Sequence, residues 1–225
     1  EFAKSQGINV IVSPTKSIEI CLDKLKFYKF GNENGFNFIY TSQNITDLNY
    51  KTYVVKERYG AGSSSIGLNL NHDDAIKHAT SLEDPIFQPY IKGKEISIDA
   101  WISNSHEVKG VILRTRDLIF DGESKITTTF INENIEKEAI KVLKSLNLRG
   151  PVVLQGILQN ENKVIFMECN TRFGGGSTTS ICAGLDSFYW SILEIQGEDL
   201  KNYKFFKSNK KIKKVRIPSD IFIKT

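Results

Sequence analysis

The order of apolar and polar residues predicts a mixture of helices and strands that do not strictly alternate. Apolar side chains recur at helical spacing over residues 15–30 and 132–148, and two further helices are predicted over residues 73–81 and 177–195. Apolar or alternating runs predict strands over residues 7–13, 36–40, 52–58, 86–91, 95–102, 107–116, 152–159 and 163–169. Such an order is typical of an α+β fold in two lobes.

The composition narrows the class of protein without indicating a function. The chain has 225 residues, of which 40% are hydrophobic and 25% are charged, as in an ordinary globular protein. These values exclude a collagen, a coiled coil and a wholly disordered chain. The first residue is Glu1 and the single methionine is Met167, so we expect the chain to be part of a longer protein.

Charge and cysteine content argue against a nucleic-acid partner, a disulfide framework and a zinc site. The net charge is only +4, and basic residues crowd into positions 201–216, which predicts a solvated, weakly structured tail rather than a nucleic-acid surface. Cys21, Cys169 and Cys182 have no short paired spacing, so they fit neither a disulfide framework nor a zinc site. No apolar run approaches the ~20 residues that span a bilayer, and no signal peptide is visible. We therefore expect a cytoplasmic protein without nucleic-acid or membrane partners.

A predicted hairpin in the C-terminal half carries the sharpest chemical pattern. With residues 161 and 162 as its loop, Gln155 lies directly opposite Glu168, with Cβ atoms about 5 Å apart. Side chains two positions apart share a face, so Asn170 and Arg172 join Glu168 if the strand continues. Carboxylate and amide oxygens suit Mg²⁺, and arginine suits phosphate. The polar outer side of an ordinary hairpin fits the pattern equally well, and a one-residue slip of register would remove the site.

A second pattern is the run of small residues that follows the strand predicted at 52–58. The segment from Gly60 to Ser65 reads GAGSSS, which is neither a Walker A loop nor a well-spaced dinucleotide fingerprint. Small residues nevertheless let backbone N–H groups approach an anion closely. Lys56, on the preceding strand, could reach a phosphate as a point charge. A flexible turn beside a surface lysine is the alternative interpretation.

Together these segments resemble the ATP-grasp superfamily, especially the ATP-binding domains of the carbamoyl phosphate synthetase large subunit and of biotin carboxylase. The resemblance covers nearly the whole chain, and its ordered motifs are specific as a set. The motifs are Asp23-Lys24, Val55-Lys56 with the segment Gly60 to Ser65, the segment QPYIKGKE at 88–95, Gln155, and ECNTR at 168–172. The implied fold is that of ATP-grasp proteins, in which two α+β lobes with antiparallel sheets sandwich ATP.

The resemblance implies a set of ATP-binding residues. Two lysines would contact the phosphates, the glycine loop would close over them, residues 88–91 would form a hinge that holds adenine, and Glu95 would bind the ribose. The full implied set is Lys24, Lys56, Gly60, Gly62, Ser63, Ser64, Ser65, Gln88, Tyr90, Ile91 and Glu95.

The resemblance also implies a metal site and catalytic groups. Gln155, Glu168 and Asn170 would hold Mg²⁺, with Mn²⁺ as a substitute, and Arg172 would stabilise the transferring phosphoryl group. Two further arginines on one predicted strand face resemble substrate or phosphate binders, although surface arginines fit nearly as well. A glycine run before a predicted helix lies about where the family places its carboxylate substrate, with a simple turn and helix cap as the alternative. These further candidates are Arg114 and Arg116, and Gly174, Gly175, Gly176 and Ser177.

The implied activity is that of an ATP- and Mg²⁺-dependent ligase. It would activate a carboxylate as an acyl phosphate for attack by an amine or a similar nucleophile, in a carbamoyl phosphate synthetase-like manner. Its partners would be small-molecule carboxylates and amines, and its assembly a homodimer. A non-catalytic ATP-binding module or a subunit of a split enzyme is the alternative.

The resemblance divides the chain into four segments. Residues 1–14 would be the remnant of a preceding α/β domain or a linker. Residues 15–90 would form the N-terminal lobe, with a small lobe carrying the glycine loop at about 50–85. Residues 91–205 would form the C-terminal lobe, and residues 206–225 a basic C-terminal segment.

Overall fold

The protein consists of two antiparallel sheets with helices packed on them. A computed structural model describes residues 2–60, 65–120 and 122–217. The helices are α1 (Phe2–Ser5), α2 (Thr15–Leu22), α3 (Lys24–Glu33), α4 (His72–Ala79), α5 (Glu133–Ser145), α6 (Ser177–Cys182) and α7 (Ser187–Ile195). The strands are β1 (Tyr53–Glu57), β2 (Gly67–Leu70), β3 (Pro85–Pro89), β4 (Lys94–Ile102), β5 (Val108–Phe120), β6 (Glu123–Phe130), β7 (Gly150–Asn160), β8 (Lys163–Asn170) and β9 (Lys213–Val215). In this part of the chain no helix has both the length and the apolar character needed to cross a membrane.

The strand order separates a small sheet from a large one. The small sheet has the order β2-β1-β3, and the large sheet has the order β8-β7-β4-β5-β6-β9. All strand pairs in both sheets are antiparallel. Residues 90–93 connect the two sheets, because β3 belongs to the small one and β4 to the large one. The predicted α+β fold is confirmed.

One face of the large sheet forms the main hydrophobic core. Helix α5 buries Ile135 and Leu143 there, and the side chain of Asn132 caps the helix by accepting hydrogen bonds from two backbone N–H groups. Burying each such aliphatic side chain contributes roughly 1.5–3 kcal/mol. Cys21 of α2 and Phe27 of α3 join the same core. The beginning of the segment expected to form the N-terminal lobe therefore packs on the large sheet.

Two predicted helices are each broken into two. The prediction over residues 15–30 is wrong at Asp23, which ends α2 and caps α3 by accepting hydrogen bonds from the N–H groups of Leu25 and Lys26. The prediction over 177–195 is wrong after Cys182. Gly184, with φ +105°, ends α6, and a Cβ atom there would lie 2.1 Å from the carbonyl oxygen of Phe206. Only glycine permits that approach, so packing rather than helical spacing decides the break.

Two predicted strands are not formed. Residues 8–13 have no regular secondary structure, and they pair with no strand among the described residues. Ile8, Val10 and Val12 are about half exposed, whereas Ser13 exchanges hydrogen bonds with the backbone of Arg149. Residues 36–40 make only an isolated bridge to β8. An apolar run forms a strand only where a neighbouring edge supplies its hydrogen bonds.

The basic C-terminal segment is not a solvated tail over its described length. Strand β9 pairs with β6, and Lys207 forms an ion pair with Glu136. Sequence patterns gave no prediction for β6, although its threonine-rich sequence has high β-propensity. The prediction of a weakly structured tail is therefore wrong for residues 207–216, because β6 offers an edge on which the segment can dock.

Candidate active site

A polar cleft of about 600 Å³ lies where the small sheet faces the large one. Among the described residues, its apolar or aromatic lining is limited to Tyr59, Ile66 and Val153, which favours a charged ligand over an apolar one. The lining also includes Lys24, Lys56, Glu57, Gly60, Ser97, Arg114, Arg116, Gly122, Glu123, Ser124, Gln155, Glu168, Asn170, Arg172, Gly174, Gly175 and Gly176. Most of the residues expected in the site are thus brought together.

The predicted opposition of Gln155 and Glu168 is confirmed. The uninterrupted register that predicted it is wrong, because the β7–β8 ladder is irregular at two places. Gln159 on β7 and Met167 on β8 are each an extra residue in the pairing, so the two irregularities cancel. Gln155 and Glu168 still share a face, because the pairing there has the same register as the pairing of Asn160 with Lys163 beside the loop.

The side chains of Gln155, Glu168 and Asn170, called here the oxygen-donor set, lie on the floor of the cleft. The Asn170 amide donates a hydrogen bond of 3.3 Å to Glu168 Oε1. No group of three or more His, Cys, Asp or Glu side chains that could hold a metal occurs in residues 2–60, 65–120 and 122–217. One carboxylate and two amides are hard oxygen donors of the kind that holds Mg²⁺ together with nucleotide phosphates. The donor set therefore fits the expected metal.

Two buried lysines project into the cleft from the other side. Lys24, at the start of α3, donates hydrogen bonds of 3.2 Å to the carbonyl oxygens of Arg58 and Gly60. The side chain of Lys56, on β1, makes no hydrogen bond or ion pair with the described residues, and Lys56 is only 8% exposed. Burial lowers the pKa of both ammonium groups, and the nearby carboxylate of Glu168 opposes that shift. Two poorly compensated buried cations make this end of the cleft attractive to an anion.

The Asp23 carboxylate fixes the position of Lys24, and sequence reasoning missed its role. Besides capping α3, it accepts hydrogen bonds from Arg58 at 2.6 and 2.8 Å and from the Tyr59 hydroxyl at 2.9 Å. Burial alone would raise the pKa of Asp23, but these hydrogen bonds outweigh burial and lower it to about 2. The start of α3 is thereby tied to the chain that leads into the glycine loop.

The described ends of the glycine loop are both anchored. Lys24 holds the carbonyl oxygen of Gly60, and the ring of His78 lies 3.0 Å from the carbonyl oxygen of Ser65. Gly60 lines the cleft, whereas Ser65 does not. The predicted phosphate contacts of Gly62, Ser63 and Ser64 lie outside the described residues.

The expected adenine hinge and ribose partner lie beside the cleft lining rather than in it. The Gln88 side chain is buried and donates to the Thr41 hydroxyl at 2.8 Å. Tyr90 and Ile91 belong to the connection between the two sheets. Glu95 accepts a hydrogen bond of 2.7 Å from Arg116. The topology places residues 90–93 between the two sheets, and the hinge role and its nucleotide contacts stay predictions.

A buried ionic network holds Arg114. Its Nε lies 2.5 Å from Asp99, and the same carboxylate accepts hydrogen bonds from the hydroxyls of Ser177 at 2.5 Å and Ser180 at 2.8 Å. A Cβ atom at Gly176 would lie 2.4 Å from Arg114 Nη1, so glycine lets the guanidinium group approach the backbone in this position. Ser177 is therefore engaged with the network, and Asp99 is a further residue that motif reasoning missed.

The other two predicted arginines differ in their surroundings. Arg116 is held by Glu95, by the Ser124 hydroxyl at 3.1 Å and by the carbonyl oxygen of Gly122 at 2.6 Å. Arg172 is exposed and donates only to the carbonyl oxygen of Phe173 within the described chain. One arginine is thus fixed in the wall of the cleft, and the other has a guanidinium group available for a ligand.

The basic C-terminal segment contributes two cations beside the glycine run. Lys214 Nζ and Arg216 Nη2 each donate a hydrogen bond of 2.9 Å to the carbonyl oxygen of Gly175, and Arg216 also pairs with Glu123 at 2.6 Å. Burial and the neighbouring Arg216 and Arg114 lower the pKa of Lys214. Their two-residue spacing is the only sequence signal that could have placed both side chains on one strand face.

Comparisons with known proteins bear on the family and the fold. A sequence profile of the ATP-grasp domain matches residues 21–176, whereas no curated protein matches the chain. The biotin carboxylase domain of Hydrogenobacter thermophilus 2-oxoglutarate carboxylase superposes with a TM-score of 0.75 at 18% identity, over 93% of this chain and 53% of that one. Campylobacter jejuni biotin carboxylase gives 0.74 at 17%, over 88% and 51%. Coxiella burnetii D-alanine–D-alanine ligase gives 0.61 at 14%, over 87% and 64%.

The structural comparisons and the sequence profile support different conclusions. At such identities the structural likeness shows the fold alone, and the chain spans about half the length of the two carboxylase structures. The sequence profile covers more than half of this chain and includes both lysines, the oxygen-donor set and Arg172. The chain therefore belongs to the ATP-grasp domain family.

Proposed function

We propose that the protein is an ATP- and Mg²⁺-dependent ligase that activates a carboxylate as an acyl phosphate for attack by an amine or a similar nucleophile. The observation that carries this proposal is the meeting of Lys56, Arg172 and the oxygen-donor set in one cleft. Among the similar structures, that of H. thermophilus is a complex with MgADP and bicarbonate. A carbamoyl phosphate synthetase-like substrate preference is part of the prediction and rests on the sequence resemblance.

The proposed reaction has two steps. A carboxylate oxygen attacks the γ-phosphorus of ATP, forming the acyl phosphate and releasing ADP. The nucleophile then attacks the acyl carbon, the C–O bond to phosphate breaks, and phosphate leaves as the amine loses a proton. Neither step needs a nucleophilic side chain of the enzyme, so catalysis depends on positioning and on charge stabilisation.

The residues of the cleft supply both the positioning and the charge stabilisation. Lys24 and Lys56 would bind the phosphates, and Gln155, Glu168 and Asn170 would hold Mg²⁺. The metal would neutralise charge on the phosphate oxygens when bound. Arg172 would reach the transferring phosphoryl group, because its guanidinium group has no carboxylate partner among the described residues. The hydrogen-bonded position of Arg116 suits a fixed wall of the site.

The substitution Arg172→Ala tests this assignment. We expect carboxylate-dependent ADP release to fall by roughly 10³-fold, since an arginine that stabilises the phosphoryl transition state contributes about that much. Affinity for a Mg²⁺ complex of a non-hydrolysable ATP analogue, measured by calorimetry, should stay close to that of the wild type. Arg149→Ala is the matched control, because Arg149 lies outside the cleft and bonds to Asn104.

Two outcomes would count against the proposal. Retained turnover in Arg172→Ala would remove Arg172 from the mechanism. A wild-type protein that binds the MgATP analogue but releases no ADP with any pair from a panel of carboxylates and amines would instead be the non-catalytic ATP-binding module.

A further inference from the structure

A buried carboxylate lies outside the cleft, on helix α7. Glu194 is only 7% exposed, and its neighbours Trp190 and Leu193 belong to a hydrophobic cluster that also contains Trp101 of β4. The Glu194 carboxylate accepts one hydrogen bond from the described residues, at 2.6 Å from the backbone N–H of Asn104. Glutamate is rarely buried without a charged partner, so its presence in this cluster needs a reason other than packing.

Two polar atoms of this cluster are buried without a hydrogen-bond partner among the described residues. They are Oε2 of Glu194 and Nε1 of Trp101. The two groups are close, since the Trp101 N–H favours the ionised carboxylate and acts to lower the pKa of Glu194. An ionised Oε2 can accept a hydrogen bond from the indole, whereas a proton on Oε2 sets an O–H donor beside an N–H donor. Whether the two atoms bond therefore depends on the charge of Glu194.

The surroundings of Glu194 favour its neutral form. Burial raises the pKa of Glu194, and the nearby carboxylate of Asp199 adds to the rise. The Asn104 N–H, the Arg149 guanidinium and the Trp101 N–H oppose the shift without cancelling it. The other titratable groups on the adjoining turn, on β5 and after α7 have partners of their own. These are His106 with the Leu148 carbonyl, Glu107 with Lys144, Lys109 with the carbonyls of Leu200 and Tyr203, and Glu198 with the Tyr203 hydroxyl.

The bond from Asn104 to Glu194 belongs to a chain of contacts between four segments. It joins α7 to residues 103–107, which form the turn between β4 and β5. The side-chain oxygen of Asn104 accepts a hydrogen bond of 2.5 Å from Arg149 Nε, just before β7. The backbone of Arg149 in turn exchanges hydrogen bonds with the Ser13 hydroxyl, which ends the N-terminal extended segment. A change of charge at Glu194 thus acts where α7, the turn, β7 and the N-terminal segment meet.

We propose that Glu194 and Trp101 form a buried pH-sensitive pair that controls how α7 is attached to the large sheet. With a proton on Oε2, the neutral carboxyl suits its apolar surroundings and holds only the Asn104 N–H. When that proton passes to the solvent, the ionised carboxylate draws in the Trp101 N–H, and a hydrogen bond partly offsets the cost of burying a charge. The pair takes part in no step of the proposed reaction, so this inference is independent of it.

Tryptophan fluorescence measures the state of the pair directly. The chain has two tryptophans, so Trp190→Phe leaves Trp101 as the only one. In this variant we expect the Trp101 emission to change with pH, with a midpoint above the ordinary glutamate value of about 4.3. Adding Glu194→Gln should abolish the change, because the amide has the size of a neutral carboxyl and does not titrate.

Urea denaturation of proteins that keep both tryptophans is the second measurement. Because the folded-state pKa of Glu194 is raised, its proton stabilises the fold at low pH, and this contribution is lost as the pH rises through the raised value. The wild type should therefore lose stability relative to Glu194→Gln over that range of pH. The matched control is Glu198→Gln, which removes an exposed carboxylate just beyond α7. It should leave both the fluorescence change and the stability slope as they are in its parent protein.

Four results would overturn the pair. The first is a Trp101 emission that stays constant between about pH 4 and 9. The second is a fluorescence change that persists in Glu194→Gln, since another group would then be its source. The third is an equal loss of the change in Glu198→Gln. The fourth is a wild type whose stability runs parallel to that of Glu194→Gln at every pH. All of these measurements are made without nucleotide, so none depends on the proposed function.

Discussion

The two ends of the cleft hold their cations in opposite ways. At the lysine end, the Lys24 ammonium group bonds to backbone carbonyl oxygens, and the Lys56 ammonium group bonds to no described residue. At the other end, called here the arginine end, β5 supplies two arginines and the basic C-terminal segment a third beside the glycine run, and each of these three guanidinium groups meets a carboxylate. The pairs are Arg114–Asp99, Arg116–Glu95 and Arg216–Glu123, at 2.5, 2.7 and 2.6 Å.

The difference indicates that the lysine end binds a ligand and that the arginine end is a structural scaffold. Burial lowers the pKa of Lys24 and Lys56 because the folded protein lacks enough nearby negative charge to stabilise both ammonium groups. A polyphosphate would supply that charge. The paired arginines are already compensated, so their geometry is fixed before any ligand binds. Changes at the arginine end should therefore affect stability, whereas changes at the lysine end should affect binding.

The largest expected effect comes from breaking the buried pair at the arginine end. Asp99→Ala leaves Arg114 without its counter-ion and removes the acceptor of Ser177 and Ser180, so the free energy of unfolding should fall by about 3 kcal/mol. Urea denaturation measures this loss. Glu123→Ala, which breaks an exposed pair with Arg216, should cost less than about 1 kcal/mol. Equal losses in both variants would refute the assignment of Asp99 as the centre of the scaffold.

At the lysine end we expect a smaller effect, which lowers ligand affinity and not stability. Lys56→Met keeps an apolar stem and removes the buried charge, so the unfolding free energy should stay the same or rise. Affinity for the MgATP analogue should fall roughly 10- to 100-fold, the loss expected for a hydrogen bond to a charged group. Calorimetry with Lys51→Ala as an exposed-lysine control separates this from general charge effects. A stability loss without a binding loss would place Lys56 in the scaffold.

The smallest effect is a pH dependence of opposite sign for stability and binding. The folded-state pKa of Lys56 is lowered, so folding disfavours its charged form until the pH exceeds the ordinary value near 10.4. As pH rises through the lowered pKa, the wild type should gain stability relative to Lys56→Met, while its affinity for the ATP analogue falls. Denaturation and binding at a series of pH values measure both trends. Parallel slopes for the two proteins would contradict the lowered pKa.

Sequence reasoning identified the site best where the spacing is local. The pairing of Gln155 with Glu168 follows from a short hairpin, and it holds although two irregularities separate it from the loop. The Asp23-Lys24 motif was found, but its helix break was not, because helical spacing continues across Asp23 while its side chain caps the next helix. Local patterns therefore predicted the facing of nearby residues well and the limits of helices less well.

The sequence by itself determined the α+β fold, the ATP-grasp motifs and the polar face of the β7–β8 hairpin, since each depends on residues close together in the chain. Only the tertiary structure decided that Lys214 and Arg216 bond to Gly175, and that Asp99 joins Arg114 to Ser177. These contacts join positions at least 15 residues apart, and each exists because a sheet edge or a buried charge requires a partner that no local pattern specifies.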